Sequence, residues 1–84
     1  MDYEFRFSAE ETGVRKAIIQ FWHLDEGDEV EEGDEVLDVE TDDESIITIT
    51  SPVSGVIKQI MMEEGEVVEE GDLLAIIETQ EEEI

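Results

Sequence analysis

The 84 residues contain no cysteine, which removes disulfides, thiolate nucleophiles and Cys-based zinc sites together. One histidine, His23, stands without a companion for metal ligation or general-base work. Basic residues are almost as scarce, 4 against 27 acids, for a formal net charge of −23. Phosphate backbones and anionic bilayers are repelled by such a chain, so nucleic-acid and membrane-surface roles are excluded. No run of about 18 apolar residues occurs, and the opening MDYEFRF lacks a basic then apolar leader pattern. The expectation is a soluble, unprocessed, cytoplasmic protein. Helical periodicity is also missing, and the single proline, Pro52, follows a β-branched run.

What is present is a repeat. GDEVEEGDEVLDVET (Gly27 to Thr41) lies over GEVVEEGDLLAIIET (Gly65 to Thr79) at an offset of 38, with eight of fifteen positions identical. The offset extends upstream, placing Ala17–Gly27 over Gly55–Gly65, with Ile19 on Ile57 and Trp22 on Ile60. Each half reads as strand, acidic Gly turn, short strand, Gly-Asp turn, strand. Hydrophobic content of 39%, periodically arranged, argues against disorder despite the acidity.

Alternation and β-branched content predict a first strand through Tyr3, Phe5 and Phe7, a turn at Glu10–Gly13, and further strands at Arg15–Trp22, Val36–Glu40, Ile46–Thr50, Val56–Met61 and Leu73–Glu78. The expected fold is all-β: two small antiparallel sheets related by a pseudo-twofold axis, packed face to face as a flattened barrel. A single domain spans 1–84, with repeat halves at about 15–41 and 53–79 and an acidic tail at 80–84. At this size only about 60 to 65% of the unfolded chain's surface is buried, so the core is thin.

EGD-x-V, V-E-T-D, S-P-x-x-G-V-I-K and EG-x-x-V-x-x-G-D-x-L-x-x-I, in this order and spacing, resemble the lipoyl domain of 2-oxo acid dehydrogenase acyltransferases and its relative the biotinyl carrier domain. The likeness covers roughly Tyr3 to Thr79. It implies the flattened barrel-sandwich architecture and a lysine at the tip of the hairpin after V-E-T-D, acylated by lipoamide. An exposed, rigid turn suits an arm that visits separate active sites. Here the chain departs from the pattern. Counting forward from Glu40-Thr41-Asp42, the lysine slot falls on Asp43; counting back from Ser51-Pro52, it falls on Glu44. Neither carboxylate can form the amide, and the only lysines are Lys16 and Lys58. The Met61-Met62 pair has no lysine between its members, unlike the biotin motif, and SAEETG at Ser8–Gly13 replaces the usual Pro and Gly-rich acidic turn.

The candidate site is therefore an interaction hairpin, Asp42, Asp43 and Glu44. Consecutive residues on a hairpin tip point different ways, and no EF-hand order is present, so no metal site is expected. Ser8, Ser45, Ser51 and Ser54 lack an activating base, and Gly27, Gly33, Gly65 and Gly71 sit in β-turns, not a phosphate loop. The reading is a non-enzymatic, cofactor-free, monomeric lipoyl-like domain that acts as a protein-interaction or scaffold module. Its partner is a basic protein or a component of a 2-oxo acid dehydrogenase complex. Two rivals remain: a lipoyl or biotinyl swinging-arm carrier using Lys16 or Lys58, and an acidic structural remnant in a salt-adapted host.

Overall fold

The computed structural model describes residues 1–79; the acidic tail expected at 80–84 lies outside them. Eight strands form: β1 (Asp2–Arg6), β2 (Lys16–Trp22), β3 (Glu29–Val30), β4 (Glu35–Glu40), β5 (Ile46–Thr50), β6 (Gly55–Ile60), β7 (Val67–Glu69) and β8 (Leu73–Thr79). They make two four-stranded antiparallel sheets, ordered β1-β8-β6-β3 and β5-β4-β2-β7. The sheets lie face to face without closing into a continuous barrel, which is the flattened sandwich expected from the repeat.

The offset of 38 carries β2, β3 and β4 onto β6, β7 and β8. Each half gives its short strand to the other half's sheet, because β3 pairs with β6 and β7 pairs with β2. The exchange is repeated atom for atom in the crossing bonds. Gly27 N–H donates to Ile57 C=O at 2.7 Å and Gly65 N–H to Ile19 C=O at 2.8 Å. Neither half therefore has a complete sheet of its own.

Four acidic Gly turns shape these connections. At Glu31–Asp34, Asp34 N–H donates to Glu31 C=O while the Asp34 carboxylate accepts from Glu31 N–H, both at 2.9 Å. Glu69–Asp72 repeats the pattern, with Gly33 and Gly71 supplying φ of +94° and +91° at the third position. The acids of these turns are thus hydrogen-bond acceptors for otherwise free N–H groups as well as surface charge.

Two pairs of β-bulges break the strict alternation. The register slips between Glu35 and Leu37 against β5, and between Arg6 and Phe5 against β8. At these slips two consecutive residues face inward, so Val36 and Leu37 are both buried, as are Leu74 and Ala75. Phe5, Phe7, Ala17, Ile19, Val30, Val39, Ile49, Ile57, Val68 and Ile77 complete the central packing. Gly55 marks the closest approach of β6 to β8: a Cβ there would lie 2.3 Å from the Glu78 carbonyl oxygen.

One expectation is corrected. Glu10–Gly13, read as a turn, belongs to a single helical turn, α1 (Ala9–Thr12), with Gly13 as its C-cap, in a chain read as lacking helix. Ser8 caps it, its hydroxyl accepting from Glu11 N–H, and Gly13 closes it at φ +84° with its N–H on Ala9 C=O.

Candidate functional site

The β4–β5 hairpin is closed by two backbone bonds. Thr41 N–H donates to Ser45 C=O, and Glu44 N–H donates to Thr41 C=O, both at 2.9 Å. Asp42, Asp43 and Glu44 form the loop, and Glu44 takes the left-handed conformation at φ +67°. This is the three-residue hairpin in which a turn is followed by a left-handed bulge residue, a place that usually holds glycine. The forward and backward counts differ by this one residue.

The three acids at the tip are not alike. Asp43 folds back over the turn: its carboxylate accepts from the Thr41 hydroxyl and from Ser45 N–H. The Thr41 hydroxyl bond, then those from Ser45, hold its carboxyl below the ordinary carboxylate value of 3.8. Asp43 is thereby a strut of the tip, although it remains exposed. Asp42 and Glu44 are exposed beside it. A shallow groove runs along the flank of the tip, between Thr41, Asp42 and Asp43 on one side and Val14, Arg15 and Lys16 on the other. The structure thus brings two of the chain's four basic residues next to two of its three tip acids, Asp42 and Asp43, a proximity that sequence spacing does not reveal.

Lys58 stands apart. Its ammonium is 3.0 Å from the Asp2 carboxylate, and that pairing raises its pKa above 10.5. A protonated, ion-paired amine on a strand is a poor acyl acceptor. His23 is exposed, 3.0 Å from the Asp38 carboxylate, with its ring edge-on to Phe21 at 5.1 Å. Thr48 also donates to Asp38, at 2.8 Å, and the His23 bond followed by the Thr48 bond lowers the Asp38 pKa. Trp22 packs where its repeat partner Ile60 packs, with its indole N–H donating to the Met62 carbonyl at 2.9 Å. The two line a cavity of about 690 Å³ across the pseudo-twofold axis, and its Glu26 and Glu64 carboxylates accept from Ile60 N–H and Trp22 N–H. Among the described residues no three His, Cys, Asp or Glu side chains gather as a metal-binding group.

The biotin/lipoyl family model, described as "Biotin-requiring enzyme", matches residues 3–77. The chain belongs to the biotin/lipoyl family. This biotin/lipoyl domain is 36% identical over 62 residues to the dihydrolipoyllysine-residue acetyltransferase component of the pyruvate dehydrogenase complex from Staphylococcus aureus, and 34% identical to that of Staphylococcus epidermidis. The match covers 74% of this chain but only 14% of each relative's length. In structure it resembles the lipoyl domain of the 2-oxoglutarate dehydrogenase complex from Azotobacter vinelandii. The TM-score is 0.67 at 26% identity, covering 89% of this chain and 98% of that one. It also resembles the Kluyveromyces lactis urea carboxylase, with a TM-score of 0.74 at 26% identity, covering 92% of this chain and 6% of that one.

Proposed function

We propose that this biotin/lipoyl domain works as a protein-recognition module of a 2-oxo acid dehydrogenase type assembly, presenting an acidic hairpin where the family's modified lysine would stand. The observation that carries this reading is the construction of the tip: Asp43 braces the turn from within, while Asp42 and Glu44 extend a charged surface. Carboxylates so placed attract a basic partner and offer no amine for acylation. The module itself performs no catalysis and holds no cofactor. A lipoyl or biotinyl group needs an amide to a lysine, and the tip residues are Asp42, Asp43 and Glu44.

A carrier reading has one specific observation in its favour. Lys16 lies across a shallow groove from Asp42 and Asp43, close to the place an arm would occupy. The intact mass of the chain purified from its own host separates the two readings, with peptide mapping if the mass exceeds that of the bare polypeptide. The expected result is an unmodified mass. A lipoyl or biotinyl adduct on Lys16 overturns the recognition reading and makes this a carrier with a displaced arm.

A further inference from the structure

The pseudo-twofold axis makes each sheet a control for the other. On the outer face of β5-β4-β2-β7, Val67, Ile18, Glu40 and Ile46 lie in register across all four strands. Val67, Ile18 and Ile46 are 46%, 45% and 50% exposed, and Phe21, one row along and paired with Asp38, is 49% exposed. On the outer face of β1-β8-β6-β3 the same places hold Glu29, Val56, Glu78 and Asp2, with Gln59 in the place of Phe21. Three of the four apolar positions are thus polar or charged on the opposite sheet, under the same backbone and the same pairing.

Single exposed apolar side chains are ordinary. Four that share one face, in a chain with 27 acids, three of them replaced by polar or charged residues on the symmetry-related face, are a local departure from the chain's own rule. The bulge at Gln20, where the register shifts between Ile19 and Phe21, leaves Phe21 exposed, directly opposite Asp38. The face ends at Glu40 and Ile46, the last residue of β4 and the first of β5.

The charges on this face choose its occupant. Glu40 sits within the apolar row, Asp38 is paired with Phe21, and the tip acids follow just past the end of β4. A second copy would bring another net −23 and be repelled. We propose that this face docks a partner protein whose apolar centre is bordered by Lys or Arg, with Phe21 as the aromatic anchor and Asp38 and Glu40 meeting the basic border. The proposal rests on the reading of the hairpin as a protein-recognition element, and extends the contact from the tip along the sheet.

The test places a benzophenone photo-crosslinking residue at position 21 or 67, at the symmetry counterparts 59 or 29, and separately at 42, which leaves the Asp43 strut in place, in the full chain expressed in its own host. Cross-links are mapped by mass spectrometry. Positions 21 and 67 should give yields at least about tenfold above 59 and 29, joined to one protein through a segment containing Lys or Arg. Phe21→Gln with Val67→Glu, which install the counterpart residues on an exposed face, should cut the cross-link from position 42 to the same protein. Equal yields at 21 and 59, joining to a second copy of this chain, or a partner segment without basic residues overturns the docking face. A cross-link from 42 alone leaves the hairpin reading standing and sinks the face; cross-links from none of 21, 67 and 42 sink both.

Discussion

Asp43 shows how one side chain converts a charged tip into a fixed one. Its bonds to the Thr41 hydroxyl and Ser45 N–H favour the ionised carboxyl, so its native pKa lies below 3.8. The sign follows directly: the stabilisation it brings is complete above the unfolded value and fades as pH falls through the lower native one. A carbon-detected NMR titration should find the Asp43 midpoint below 3.8 in the native protein and should find it raised in Thr41→Val, because the first of its hydrogen bonds is gone. An Asp43 midpoint that ignores Thr41→Val would remove the strut. Little of this was legible in the residues alone. The acids of the tip could be counted, but which of them faces its own backbone depends on the turn type, and that is set by the left-handed Glu44.

At the scale of the hairpin, Glu44 carries a cost. A side chain in the left-handed region is disfavoured by about 1–2 kcal/mol, and glycine avoids most of that while losing more entropy on folding. Glu44→Gly should therefore stabilise the domain by up to about 1 kcal/mol, seen as a higher urea midpoint at unchanged slope. A lower midpoint would mean that the Glu44 side chain makes a contact worth more than its strain. Other elements separated cleanly into the legible and the hidden. The strands stood out because alternation and Gly-Asp spacing are local. The α1 turn was hidden because four residues hold no helical period, although Ser8 and Gly13 are the two capping residues that mark it. The bulges were hidden for a different reason: paired inward residues such as Val36-Leu37 break the period that sequence reading relies on.

For the whole molecule, charge and symmetry set the behaviour. A net of −23 on 84 residues places like charges close together over the surface, and ions at physiological strength screen beyond about 8 Å. The melting temperature should rise between low and high salt; an unchanged value would show that self-repulsion does not limit stability. The repeat itself announced the two sheets, but the exchange of β3 and β7 between halves joins residues far apart in sequence, and no local pattern encodes it. Sequence spacing likewise gave no sign that Arg15 and Lys16 flank the tip, or that Ile18, Phe21, Ile46 and Val67 gather on the outer face of one sheet.

The same symmetry relates the hairpin tip to Met1 and Thr79, the first and last of the described residues. Thr79 N–H donates to Met1 C=O at 2.7 Å, just as Thr41 N–H donates to Ser45 C=O, so β1 follows β8 in space as β5 follows β4. The described residues thus have two matching poles: at one, Thr41 and Ser45 are joined by the three-residue acidic loop, and at the other, Met1 and Thr79 are held together by hydrogen bonds alone. One pole is sealed covalently and the other only by pairing, so strand separation on unfolding is free to begin at Met1 and Thr79 and not at the acids.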